Sequence, residues 1–343
     1  MPSVDEVLVI GRDEVRRLLP MERCIDVMAD VLADLARGSA VNPLRTAIGV
    51  SDGQGFLVMM PGGLGTSSGS AASGGSAASG AFGAKVLSVF PGNRAAGLES
   101  HQGLVVLFES EHGRPTTILD ASEITAVRTA AVSGFATRAL AVPGATDLAI
   151  IGSGTQARTH LEAMRAVRGI THVRAWSPTR HRLAAFAEEA RAQTGLRVEV
   201  AASAREAVDG AQIVCTVSSA TEPVLEGAWL SAGTHVNAVG SSVPTAREVD
   251  GEAVRRARVF VDRRESAMHE SGDLLAAIRE GMIDESHLGA ELGEVLIGAA
   301  EGRRAPDEVT LFESLGLAVE DLAAAAFVAA AAREQDAGTA VTL

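Results

Sequence analysis

The segment best suited to chemistry is Gly152-Ser153-Gly154-Thr155-Gln156-Ala157, which follows the apolar run Asp147 to Ile151 and opens a helical stretch, Arg158 to Val167. In a G-x-G-x-x-G/A arrangement the first glycine makes the tight turn out of a strand. The second lets backbone approach a pyrophosphate at the helix N-terminus, and Ala157 permits close helix–strand packing. Thr155 and Gln156 open the first helical turn, beside the expected phosphates. The pattern alone is weak, but between strand and helix inside repeated βα units it marks a dinucleotide site. The next strand ends in Trp176-Ser177-Pro178-Thr179-Arg180-His181-Arg182. No Asp or Glu is present to accept from the ribose 2′-hydroxyl of NAD. The hydroxyls of Ser177 and Thr179 with Arg180 or Arg182 suit a 2′-phosphate, so NADP(H) is favoured and NAD(H) is possible; a solvated basic helix start is the plain alternative. Ser218, Ser219 and Thr221 follow a strand ending near Val217, the place to line a nicotinamide cleft, although small loop hydroxyls are often local caps.

These groups need a scaffold, and the hydrophobic spacing outlines one. Residues 13–37 carry Val15, Leu18, Leu19, Ile25, Met28, Val31, Leu32 and Leu35 at helical spacing, broken at Pro20 and closed by Gly38. Strand-like segments follow at 45–50, 55–60, 84–90 and 103–108. Asp120 and Glu123 form a capping box for a helix with Ile124, Val127, Ala131 and Phe135 on one face, running to about Leu140. From Asp147 onward, apolar runs at 148–151, 173–176, 198–200, 213–217, 235–239 and 259–261 alternate with helical stretches, the pattern of a parallel sheet. An alanine-rich helix from about Gly316 to Arg333 closes the chain. The fold class is therefore α/β: a Rossmann-type doubly wound dinucleotide-binding domain, 129–315, plus an α+β substrate domain from 1–128 with 316–343. Thr66 to Gly80, built of Ser, Gly and Ala after its first residue, has no apolar face to bury and reads as a flexible surface loop.

Composition removes several classes. Among 343 residues, 30 Lys and Arg face 43 Asp and Glu, a net charge of −13, so nucleic acid and anionic membrane are not expected partners. The N-terminal apolar run, Val7 to Ile10, is too short for a signal peptide, and Leu322 to Ala332 is too short to cross a bilayer. Cys24 and Cys215 form no paired motif, which suggests a reduced, cytoplasmic protein. His269-Glu270 lacks the second histidine of a zinc helix, and no metal is expected. His101 and His235 read as packed or solvent-facing.

Gly83-Ala84-Lys85-Val86 leading to Phe90-Pro91-Gly92-Asn93 resembles the ornithine cyclodeaminase/μ-crystallin family. Thr125 to Ala131, Asn237-Ala238-Val239-Gly240 with Pro244 and Arg247-Glu248, and Thr310-Leu311-Phe312 with Ser314-Leu315-Gly316 agree with it. The resemblance spans nearly the whole chain except 66–80. It implies a nicotinamide cofactor, a small amino- or imino-acid substrate, and a homodimer built through the N-terminal domain. It also implies that Arg45, Lys85 and Arg128 gather around the substrate carboxylate. Two guanidinium forks and an ammonium suit an α-carboxylate. Taken singly, Arg45 reads as a surface charge, Lys85 as an edge-strand guard and Arg128 as a solvated helix residue. Asp321 reads as a charge on a helix dipole, with a pocket role open.

The sequence departs from the cyclodeaminase pattern where that branch carries an aspartate: Gly240-Ser241-Ser242-Val243-Pro244 places Ser242 there. A serine with no neighbouring base does not take a proton near neutral pH. Val58 likewise stands where a carboxylate is expected. Both changes resemble the reductase branch. The expectation is NAD(P)H-dependent reduction of a cyclic or open-chain α-imino acid, such as Δ1-pyrroline-2-carboxylate or Δ1-piperideine-2-carboxylate. Lys85 is the expected proton donor, and Ser242 a hydrogen-bond donor near the imine nitrogen or a water. Ornithine cyclodeamination and non-catalytic NADPH binding are the alternatives.

Overall fold

The computed structural model describes residues 6–50, 54–65 and 81–342, so the expected loop at 66–80 lies outside the described residues. In chain order the elements are β1 (Glu6–Ile10), α1 (Arg12–Leu18), α2 (Met21–Ala36), β2 (Thr46–Gly49), β3 (Phe56–Gly63), β4 (Ala81–Val89), β5 (His101–Glu109), β6 (Pro115–Asp120) and α3 (Ala121–Leu140). There follow β7 (Asp147–Ile151), α4 (Thr155–Val167), β8 (His172–Trp176), α5 (Arg180–Thr194), β9 (Val198–Val200), α6 (Ala204–Val208), β10 (Ile213–Thr216) and β11 (His235–Ala238). The remainder comprises α7 (Gly251–Arg256), β12 (Arg258–Val261), α8 (Arg264–Glu270), α9 (Gly272–Arg279), α10 (Leu292–Leu296), β13 (Thr310–Glu313), α11 (Ala318–Glu334) and β14 (Thr339–Thr342). Two compact units divide them: Met1–Arg128 with Leu317–Leu343, and Thr129–Gly316.

The first unit holds a seven-stranded sheet, β14-β1-β6-β5-β4-β3-β2, antiparallel except where β1 lies parallel to β6. Alternation assigns its two faces. Met60, Lys85, Val105 and Leu119 share one face and are buried on the side of α11, which packs in turn against α2. Gly62 and Gly83 lie opposite each other on this face, and a Cβ on either would stand 3.1 Å from Leu322 of α11. The missing side chains are what let the helix approach. The other face carries Ile48, Leu57, Phe82 and Leu104, 51%, 38%, 44% and 39% exposed, with Phe82 stacked on Phe108 at 5.4 Å. This is a broad apolar surface with nothing over it among the described residues.

The second unit is an all-parallel sheet in the order β12-β13-β11-β10-β7-β8-β9. Strands β10, β11 and β13 are buried throughout, as doubly covered parallel strands must be. From β7 the chain moves outward to β8 and β9, then returns to the opposite side at β10. That reversal is the switch point at which open α/β sheets form a ligand crevice. Strands β1, β6, β13 and β14 are additional to those read from the sequence. Among the described residues no helix is long and apolar enough to cross a membrane, and both cysteines are buried and unpaired.

Candidate functional site

In the first unit, pleat and helix pitch bring four charged side chains together. Lys85 points from β4 towards the α11 side of the sheet, and its ammonium lies 2.6 Å from Asp321 Oδ2. Arg128, near the middle of α3, donates from Nε to Asp321 Oδ1 at 2.8 Å and from NH1 to Glu320 Oε2 at 3.0 Å. Thr125, one turn earlier on α3, accepts from Lys85 Nζ at 3.3 Å. Lys85 and Arg128 are 3% and 4% exposed, and both acids are fully buried. The readings of Lys85 as an edge guard and Arg128 as a solvated residue therefore fail: both face inward.

Asp321 requires a correction too. Although it stands in the first turn of α11, its carboxylate is spent on two cations rather than on the helix dipole. Glu320 also accepts from the Leu317 amide at 3.1 Å, tying the helix start to the cluster. Glu320 is not singled out by the sequence and Asp321 only with a pocket role left open; both lie against the two buried cations. The available signal was two adjacent carboxylates in a helix otherwise apolar for three turns.

The electrostatics follow from burial. Burial pushes the Lys85 ammonium down to about 8, and the charges of Arg128 and Arg45 push the same way, while Asp321 holds it up. Burial disfavours charge on Asp321, but Arg128 and Lys85 outweigh it and keep its carboxyl below the usual range. Arg45, just before β2, is half-buried. The two cations and two carboxylates of the cluster balance, and the positive charge of Arg45 acts on Lys85 from nearby. Val58 shares the Lys85 face, two residue pairs along β3 and β4, so an apolar group stands there in place of an acid.

The second unit contains the dinucleotide features. Gly152 has φ 145°, and a Cβ there would lie 2.7 Å from the Val217 carbonyl oxygen, so only glycine fits the turn. Gly154 is the N-cap of α4, with no side-chain cap, and a Cβ there would meet nothing within 4 Å. The space beside Gly154 is thus open, and no acid stands in the first turn. Thr155 is exposed, Gln156 half-buried and Ala157 fully buried against the sheet. This cradle fits a pyrophosphate.

At the end of β8, Ser177 accepts from Ser153 Oγ at 3.0 Å, fastening the glycine turn to the next strand. Thr179 is the N-cap of α5, whose first turn holds no acid. Arg180 does not reach outward as expected, because its guanidinium donates to the carbonyls of Ala201 and Ala202 at 3.0 and 2.8 Å. Arg182 is exposed. Ser218 is held by its amide and hydroxyl, both 2.6 Å from Glu248 Oε1. Ser242 is half-buried, while its neighbour Ser241 is buried and donates to Glu313 at 2.6 Å. His235 is buried and bonded to Thr310, and His101 is exposed.

Residues 6–336 match the family model described as ornithine cyclodeaminase/mu-crystallin family. A Delta(1)-pyrroline-2-carboxylate reductase of Bacillus cereus is 35% identical over 333 residues, covering 97% of this chain and 98% of that protein. The ketimine reductase mu-crystallin of Mus musculus is 40% identical over 291 residues, 85% of each chain. Among solved structures, the Delta(1)-pyrroline-2-carboxylate reductase of Thermococcus litoralis, in complex with NADH and L-proline, superposes with a TM-score of 0.91 at 37% identity. That superposition covers 98% of this chain and 100% of the other.

Proposed function

The chain belongs to the ornithine cyclodeaminase/mu-crystallin family, and from that premise we propose that it is an oxidoreductase acting on CH–NH bonds. Its reaction is the reduction of a cyclic or open-chain α-imino acid, such as Δ1-pyrroline-2-carboxylate or Δ1-piperideine-2-carboxylate, to the L-amino acid with NAD(P)H. The observation that carries this reading is the buried cluster of Lys85, Arg128, Glu320 and Asp321, two cations balanced by two carboxylates, with the charge of Arg45 acting on Lys85. Arg45 and Arg128 bind the substrate carboxylate through their guanidinium groups. Lys85 gives the proton that imine nitrogen gains on reduction, and a pKa of about 8 keeps it charged yet willing to release that proton near neutrality. Asp321 holds the ammonium in place and keeps it protonated. A nicotinamide dinucleotide, when bound, supplies the hydride. Gly152, Gly154, Thr155, Gln156 and Ala157 form its phosphate cradle.

Ornithine cyclisation needs an acid–base group that Ser242 and Val58 do not provide. Ser242 serves as a hydrogen-bond donor to the imine nitrogen or a water. We favour NADPH over NADH: no acid stands between Trp176 and the first turn of α5, and Ser177, Thr179 and Arg182 remain as polar groups there. Arg180 supports this less than the sequence implied. A kcat/KM for NADPH at least tenfold above that for NADH is expected, and a ratio below one overturns the preference. The uncovered face of Ile48, Leu57, Phe82 and Leu104 fits a second copy of this chain, giving a homodimer.

Lys85→Met tests the proton donor. Turnover of pyrroline-2-carboxylate should fall by about 100-fold or more, the range for loss of a general acid, while dinucleotide binding stays within about twofold. Undiminished turnover would remove Lys85 from the mechanism.

A further inference from the structure

The loops at the carboxyl ends of β10 and β11 lie against each other with little room to spare. A Cβ on Gly152 would press on Val217, and one on Gly240 would stand 2.2 Å from the Ser218 carbonyl oxygen and 2.6 Å from the carboxyl carbon of Glu248. One buried carboxylate fastens these turns. Glu248 Oε1 accepts from the Ser218 amide and hydroxyl, both at 2.6 Å, and Oε2 accepts from the Gly240 amide at 2.6 Å. Glu248 is in turn held by a second acid. Asp273 Oδ1, at the start of α9, accepts from the amides of Glu248 and Val249 at 2.8 and 3.0 Å. Both acids are fully buried, and among the described residues neither forms a salt bridge, although the charge of Arg247 acts on Asp273. Placing two carboxylates so close, with Glu313 raising the charge density further, is costly for mere packing.

The placement indicates the purpose. The glycine cradle lies at β7 and β8 is on its ribose side, so the ends of β10 and β11 lie on the other side of the switch point, where the remaining half of a dinucleotide extends. We propose that Glu248 is the positioning residue for the nicotinamide half of the cofactor site. It ties Ser218 to Gly240 so that the two strand exits present one fixed edge. This rests on the dinucleotide reading given above. Gln in place of Glu248 keeps the shape but turns an amide NH2 towards backbone N–H donors, so at least one of the ties must break.

The test compares the native chain with Glu248→Gln by fluorescence and calorimetric titration, using NADPH and 2′-phospho-ADP-ribose, which lacks only the nicotinamide. We expect the Kd for NADPH to rise at least tenfold in the variant and that for 2′-phospho-ADP-ribose to stay within twofold. Equal weakening of both probes, or no change in either, overturns the inference. Ser218→Ala, which removes one tie and leaves the amides, should show the same split at about threefold and decides the matter if Glu248→Gln does not fold; no split there overturns the inference. A native chain that binds neither probe overturns the dinucleotide reading and this inference with it, whereas normal native binding with an unaltered variant overturns this inference alone.

Discussion

Replacing Asp321 by Asn keeps the shape of the buried cluster and removes the charge that opposes deprotonation of Lys85. At 2.6 Å the attraction between ammonium and carboxylate amounts to about 6 kcal/mol in an effective dielectric near 20. That is an upper bound, because Arg128 also draws on Asp321 and relaxes towards Glu320 when the charge is lost. About a third of it, roughly 2 kcal/mol, lowers the Lys85 pKa by about 1.5, at about 1.4 kcal/mol per pH unit. Reduction needs Lys85 protonated, so activity is present below its pKa and lost as pH rises through it. The native limb should fall near pH 8, and that of Asp321→Asn near about 6.5. At pH 7.5 the protonated fraction drops about eightfold by that shift. The assay is the pH profile of kcat/KM for imine reduction, followed by loss of the reduced cofactor between pH 6 and 9. A variant that loses activity by the same factor at every pH, with its basic limb unmoved, would refute the role given to Asp321.

Three further outcomes follow from separate parts of the structure. Gly154→Val should weaken dinucleotide binding at least tenfold and leave the melting temperature within a few degrees, since a Cβ there meets nothing within 4 Å; unaltered binding in a titration would contradict the phosphate cradle. Phe82→Glu, a charge placed on the uncovered sheet face, should convert a dimer to a monomer in sedimentation equilibrium; a native monomer would contradict the homodimer. His160 is fully buried, and burial lowers its pKa from 6.5 to about 4, so the folded state stays neutral where the unfolded chain takes a proton. Its contribution is complete above about pH 6.5 and shrinks as pH falls towards 4. Between pH 7 and 5, native protein should lose about 2 kcal/mol more stability in urea than His160→Gln; parallel losses would contradict this.

The second unit was largely legible from residue order, because parallel strands covered on both faces must be continuously apolar and glycines needed for turns cannot be replaced. Strand β13 escaped because Thr310-Leu311-Phe312-Glu313 mixes apolar with polar residues whose burial depends on remote partners, among them His235, Ser241 and Ser271. Strands β1 and β14 pair with each other from opposite ends of the chain, a contact no local pattern contains. In the candidate site, Lys85 and Arg128 stood out only through the family's motifs, since an isolated cation looks the same on a surface and in a core. Glu320 and Asp321 were harder still. Their signal is compensation of charges about 190 residues away, and only the fold brings the partners together. Arg180 shows the reverse: its position beside a ribose site was readable, its commitment to two carbonyls was not.

The central claim is that a carboxylate-anchored C=N bond is reduced with a nicotinamide cofactor. The most direct measurement offers the purified protein Δ1-pyrroline-2-carboxylate and Δ1-piperideine-2-carboxylate with NADPH and with NADH at neutral pH. The oxidised cofactor is followed optically and L-proline or L-pipecolate by chiral chromatography. Equal molar amounts of oxidised cofactor and L-amino acid, with no reaction when the carboxylate is esterified, are the expected result. Absence of imine-dependent oxidation with either cofactor, or equal turnover of the ester, would contradict the account.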